Sequence, residues 1–124
     1  MRVFLDSQAL LLWTIRPHEL PVAVETLLDD PATEPLLSAA SLWELAIKFE
    51  AGKLEVPEGY FDSLIASGLS FLRITEAHGL AAGRLPQHHR DPFDRVIIAQ
   101  AQAERLPLVG GDRIFASYDV RVIW

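Results

Sequence analysis

Asp6, Glu44, Asp94 and Asp112 are the residues of this chain whose type and placement could do chemistry together. Asp6 directly follows the apolar run Arg2 to Leu5, and Asp112 sits just past Leu106 to Val109. Glu44 is expected in the first turn of the helix after Pro35 to Ser38, and Asp94 in the first turn of the helix opened by Asp91 and Pro92. Three or four ionised carboxylates gathered in a partly dry cleft repel one another and are driven toward protonation unless a cation sits among them. Oxygen-only ligands in a chain without cysteine suit a hard ion, Mg²⁺ or Mn²⁺, that keeps several waters. Such an ion polarises a phosphodiester and lowers the pKa of a bound water, so the implied chemistry is phosphoester hydrolysis.

The elements that must position these acids can be read in order. Arg2 to Leu5 is a short strand, Asp6 a cap, and Ala9 to Trp13 a buried helix. Pro17 and Pro21 bracket a loop before a second helix over Val22 to Leu28. Pro35 to Ser38 is the next strand and passes into a helix from Ala39 to Phe49 that Gly52 can end. Pro57 and Gly59 open a further helix, closed at Gly68, and Leu69 to Ile74 is the third strand. Thr75 caps a helix from Glu76 to about Arg84, and a loop from Pro86 to Arg90 leads to Asp91. Asp91 stands at the N-cap and Pro92 at the first helical position, where a missing N–H costs nothing. That helix then runs apolar around most of its circumference through Val96, Ile97, Ile98, Ala99, Ala101 and Ala103, which suits an element pressed against a sheet. Leu106 to Val109 is the fourth strand, Gly110-Gly111-Asp112 turns into a short helical piece through Phe115, and Val120 to Trp124 is the fifth strand.

Strand and helix signals alternate throughout, which predicts an α/β fold with a parallel central sheet of about five strands covered by helices on both faces. In such sheets the working site lies at the carboxyl ends of the strands. The four acids meet along one edge if strands one and four are neighbours at the switch point.

A chain of 124 residues, half of them hydrophobic, is read as one domain spanning 1–124 with room for a substantial core. No apolar run approaches membrane-spanning length and no secretory segment opens the sequence, so a soluble cytoplasmic protein is expected. The net charge of −6 argues against indiscriminate affinity for nucleic acid. Residues 17–83 carry eleven acids against Lys48, Lys53 and Arg73, whereas residues 84–124 carry six arginines against five acids. Phosphate binding, if there is any, is therefore expected in the C-terminal third, where Arg90, Arg95 and Arg113 flank the acids and either hold phosphates beyond the metal or are solvated or salt-bridged.

Each acid also has a structural explanation. Asp6 can be an N-cap, Glu44 can close a capping box with Ser41, Asp91 reads mainly as a cap, Asp94 complements the helix dipole, and Asp112 shapes a Gly-Gly-Asp turn. His88 and His89 are adjacent and point in different directions, so they do not make a zinc site and read as loop residues near the cleft mouth. Trp13, Trp43 and Trp124 read as core or interface rather than as platforms for bases. Trp43, Phe49, Phe61 and Ile65 lie on apolar helix faces that could be core or interface.

From Phe4-Leu5-Asp6-Ser7, through Ser41-Leu42-Trp43-Glu44-Leu45-Ala46-Ile47-Lys48 and His89-Arg90-Asp91-Pro92-Phe93-Asp94-Arg95, to Leu108-Val109-Gly110-Gly111-Asp112, the chain resembles the PIN-domain ribonucleases, in particular the VapC-type toxins. The resemblance runs nearly end to end. It implies that Asp6, Glu44, Asp94 and Asp112 bind Mg²⁺ or Mn²⁺ and cleave RNA, with Asp91 a secondary possibility. It further implies a homodimer and a cognate antitoxin. One position departs from the pattern: the family usually carries Thr or Ser two residues before the fourth acid, where this chain has Gly110. A haloacid-dehalogenase-like phosphatase would need an acid where Gln8 stands, and a receiver domain a lysine late in the chain. No Gly-rich phosphate loop or nucleophile elbow occurs. The alternative from another class is a PIN-fold interaction module that cleaves nothing.

Overall fold

The computed structural model describes residues 1–124. Five strands, β1 (Arg2–Leu5), β2 (Glu34–Ser38), β3 (Ser70–Leu72), β4 (Leu108–Val109) and β5 (Val122–Ile123), form one parallel sheet in the order β3-β2-β1-β4-β5. Six α-helices connect them: α1 (Ser7–Ile15), α2 (Val22–Asp29), α3 (Ala39–Glu50), α4 (Tyr60–Ala66), α5 (Glu76–Arg84) and α6 (Pro92–Glu104). Short 3-10 turns at Pro17–Glu19 and Arg113–Ser117 complete the fold. The expected α/β architecture is the observed one, and β1 lies between β2 and β4.

Side chains alternate across each strand, and the sheet divides the interior accordingly. Val3, Leu5, Leu37 and Val109 face a core shared with α1, α2 and α4. Phe4, Leu36 and Leu108 face a second core shared with α5, α6 and Phe115. Fully burying side chains such as Phe4 or Ile97 stabilises the fold by about 1.5–3 kcal/mol each.

The structure differs from expectation mainly at element ends. The third strand is Ser70–Leu72 rather than Leu69 to Ile74, and the fifth is Val122–Ile123 rather than Val120 to Trp124. Both are edge strands that pair with one neighbour only, so the ladder ends where that neighbour ends. Helix α3 starts at Ala39 with Ser38 as its N-cap, the Ser38 hydroxyl accepting the Ala40 N–H at 3.0 Å. Glu44 therefore stands in the second turn, not the first, and Ser41 is a buried interior residue rather than half of a capping box.

Two buried polar groups fix α6 against the rest. Gln100 is fully buried; its Oε1 accepts from Ser38 Oγ at 2.6 Å and its Nε2 donates to the Arg73 carbonyl at 3.2 Å, tying α6 to the carboxyl ends of β2 and β3. Arg95 is buried as well, and its guanidinium donates to four carbonyls: Ala82 (2.8 Å), Leu85 (3.0 Å), Pro86 (3.1 Å) and His89 (3.1 Å). It thereby satisfies the end of α5 and the loop that follows. Arg95→Met keeps most of the apolar stem but leaves buried carbonyls unpaired. It is expected to destabilise by about 2–3 kcal/mol in urea unfolding, whereas a loss under about 0.5 kcal/mol would mean that water replaces the guanidinium.

Candidate metal centre

The acids that follow β1 and β4, and those on α3 and α6, all face the carboxyl end of the sheet. A cleft of about 480 Å³ there is lined by Asp6, Glu44, Asp91, Asp94 and Asp112, with Ser7, Lys48, Lys53, Gly111, Phe115 and Trp124 among its other walls. It opens where the connections leave β1 and β4 on opposite faces, the position at which open parallel sheets bind ligands.

Asp6 sits deepest. It caps α1, its Oδ1 accepting the Ala9 N–H at 2.7 Å, and it is 6% exposed. Burial pushes its pKa from 3.8 up to about 7; the Ala9 hydrogen bond opposes this, while repulsion from Asp94, Asp112 and Glu44 adds to it. Glu44 is buried too, with Oε1 accepting from Ser7 Oγ at 2.5 Å and Oε2 facing Lys48 Nζ at 3.4 Å. Asp94, in the first turn of α6, has its pKa raised by burial; the His89 hydrogen bond opposes the rise and the Asp91 charge adds to it. Asp91 caps α6 as expected, its Oδ1 accepting the N–H groups of Phe93 (2.8 Å) and Asp94 (3.2 Å). Asp112 caps the 3-10 turn through the Ile114 N–H at 3.0 Å and is the most open of the acids.

His89 also belongs to the cluster. Its Nε2 lies 2.7 Å from Asp94 Oδ2 and 4.0 Å from Asp112 Oδ2, and ligand atoms of these three residues lie within 4.8 Å of one another. Its Nδ1 faces the Asp91 N–H at 3.5 Å, which leaves the Nε2 proton for Asp94. Tyr118 holds the loop from the other side, accepting the His89 N–H at 2.8 Å and donating to the Pro86 carbonyl at 2.8 Å. His88 turns away from the cluster and packs edge-on against Tyr118 at 5.3 Å, whereas His89, read from the sequence as a loop residue near the cleft mouth, reaches Asp94 across the helix cap. The spacing of His89 and Asp94 around a capping Asp91 was the available signal.

The donor set tests well against a hard divalent ion. The Asp6 carboxylate is pushed toward protonation first by burial and then by three other carboxylates, which line the same cleft. A dication would remove the repulsion, and carboxylate oxygens are the ligands it prefers.

A family model described as PIN domain matches residues 3–121. The chain belongs to the PIN-domain family. Solved structures agree in fold: VapBC2 from Rickettsia felis bound to a DNA fragment from its promoter is 18% identical with a TM-score of 0.74, covering 99% of this chain and 98% of that one. FitAcB from Neisseria gonorrhoeae is 18% identical with a TM-score of 0.69, covering 98% and 96%. A toxin–antitoxin complex from Klebsiella pneumoniae is 16% identical with a TM-score of 0.68, covering 98% and 96%. No curated protein sequence matches the chain.

Within this PIN domain one of the three arginines that the sequence suggested for phosphates is taken up by the fold itself. Arg95 is spent on backbone carbonyls, and Arg90 and Arg113 are exposed outside the cleft. The cations that line the cleft are Lys48 and Lys53, from the segment whose acidic excess had pointed elsewhere. Counting charge by sequence segment fails here because α3 carries its C-terminal end into the cleft. Trp124, read from the sequence as core or interface, stands 45% exposed at the cleft wall.

Gly110, the departure from the family pattern, is packed hard against the centre. A Cβ there would lie 2.5 Å from Asp6 Oδ2 and 2.9 Å from a Phe115 ring carbon. Asp6 is pinned by Ala9 and Phe115 is 1% exposed, so neither yields cheaply. Gly110→Ala is expected to cost about 1–3 kcal/mol, and Gly110→Ser no less, although Ser restores the family's hydroxyl. Denaturant unfolding checks this; a Ser variant as stable as the parent would mean that the Asp6 carboxylate moves freely.

Proposed function

We propose that the chain is a metal-dependent endoribonuclease, the toxin of a toxin–antitoxin pair, with Asp6, Glu44, Asp94 and Asp112 holding Mg²⁺ or Mn²⁺. The observation that carries the proposal is the convergence of these acids on one cleft around a buried Asp6 whose proton affinity is raised to about 7. When bound, the ion would polarise a phosphodiester and make a coordinated water acidic enough to attack near neutral pH. The chain's own contribution is fixed geometry. The Ala9 N–H orients Asp6, the Ser7 hydroxyl orients Glu44, His89 Nε2 orients Asp94, and the start of the 3-10 turn holds Asp112. Such outer contacts commonly tune a metal site tenfold to about a hundredfold.

The antitoxin follows from likeness to structures described as VapBC2, FitAcB and a toxin–antitoxin complex. A homodimer is supported by large apolar side chains left in solvent, Trp43 (62% exposed) and Ile65 (60%) among them. No helix is long and apolar enough to cross a membrane, and the proposed place of action is the cytoplasm.

The test is cleavage of a defined RNA pool by the chain freed from any partner, with Mg²⁺ or Mn²⁺ and with EDTA, followed by sequencing of the RNA ends. Metal-dependent ends at recurrent positions support the reading. No cleavage of any pool, together with no metal binding, would leave the chain as a PIN-fold interaction module.

A further inference from the structure

The cleft that gathers the acids repels the substrate proposed for it, because a nucleic-acid strand carries a negative charge at every phosphate. Something on the chain must hold the strand on either side of the acids.

Lys48 and Lys53 are the only lysines in the sequence, and both line this cleft. The end of α3 brings them together. Gly52 takes a left-handed conformation (φ 71°), its N–H donates to the Phe49 carbonyl at 3.0 Å, and the Lys53 N–H returns to the Lys48 carbonyl at 2.8 Å. This closure is the Schellman arrangement, and it locks the two backbones at one corner. The Lys48 side chain is half exposed, with one ammonium contact to Glu44 at 3.4 Å; Lys53 is exposed and forms no ion pair.

Trp124 lines the same cleft from the end of β5 rather than from α3. It follows β5, whereas the lysines follow β2, and β1 with Asp6 lies between those two strands in the sheet. Gly111 gives the indole its seat: a Cβ at 111 would lie 2.6 Å from the indole Cε2, so only a glycine allows the ring to rest against that backbone. One part of the ring is thus fixed while the rest is open to the cleft.

We propose that Lys48 and Lys53 bind phosphates of the nucleic-acid strand on one side of the acids, and that Trp124 stacks on an unpaired base on the other. The inference rests on the nuclease reading above and adds the residues that position its substrate. A fixed aromatic face accepts any base, and only a base freed from pairing can reach it.

Binding of a short unstructured RNA carrying a fluorophore, followed by anisotropy in Ca²⁺, tests this without relying on turnover. Lys48→Gln with Lys53→Gln is expected to weaken binding at least about tenfold at low salt and to reduce the slope against log salt by about 1–2. Trp124→Ala is expected to weaken it by about fivefold or more, and Trp124→Phe to recover most of that loss. Replacing single nucleotides by abasic ones should find a position where the Trp124→Ala effect disappears. Melting temperatures keep folding defects apart from binding defects. If folded variants bind with the parent's affinity and salt slope while the parent cleaves RNA, the inference falls and the nuclease reading stands. If the parent neither binds nor cleaves any RNA, both fall.

Discussion

Asp94→Asn is expected to cleave RNA at no more than about one thousandth of the rate of the proposed parent nuclease, and EDTA to bring the parent to the same level. The size follows from what the side chain does. Lewis-acid stabilisation of a transition state by a bound ion is worth several kcal/mol, and about 4 kcal/mol corresponds to roughly a thousandfold. Asn keeps the shape and still takes a hydrogen bond from His89, but it removes one charge from the set facing the ion. Fold is not at risk, since Asp91 rather than Asp94 caps α6. Rates under single-turnover conditions, with Mg²⁺ binding followed by calorimetry, check the prediction. An Asn variant that cleaves within tenfold of the parent would remove Asp94 from the proposed centre.

Metal-free protein is expected to lose stability as pH rises from about 4 to about 8, the reverse of ordinary carboxylate behaviour. Asp6 holds its proton more tightly in the folded state, at about 7, than the 3.8 of a free carboxyl. Its contribution is therefore complete below 3.8 and is lost as pH rises through about 7. A difference of about three pKa units corresponds to something on the order of 4 kcal/mol, and burial leaves little solvent screening to reduce it. Asp94, also raised, acts in the same direction. Melting followed in EDTA across this range should fall toward high pH, and Asp6→Asn should flatten the profile, raising the melting temperature near pH 8 but not near pH 4. Added Mg²⁺, competing with the proton, should stabilise more near pH 8 than near pH 5. A parent profile that rises with pH in EDTA would show that Asp6 is better solvated than its position implies.

Much of this was legible in the residues alone. The alternation of apolar runs with capped helices identified the sheet, because strand β1 and helix α6 carry strong local signals: an unbroken apolar run in one, and Asp91-Pro92 ahead of a buried stretch in the other. The acids stood out because each abuts such a run. What local reading could not supply was direction. Arg95 sits between Asp94 and Val96 on a helix buried on most sides, and that burial was itself the sign that its charge would be spent on the protein's own carbonyls. Lys48 and Lys53 lie in an acidic stretch of sequence, and their place beside the acids depends on the three-dimensional path of α3. Trp124 ends an apolar run that reads as core or interface, and the edge position of β5 leaves its ring uncovered on one side.

The pairing of β1 with β4 joins Phe4 to Leu108 and Leu5 to Val109. Asp6 and Asp112 are thus far apart along the chain and are brought together only by that pairing. A chain still emerging from the ribosome has no complete set of acids, whatever helices have already formed, because closure of the sheet waits for residues 108–112. At translation rates of about 5–20 residues per second, the cleft therefore stays incomplete for several seconds after Asp6 has been made. Anything that needs all four acids therefore finds no site until residue 112 has been made and the sheet has closed.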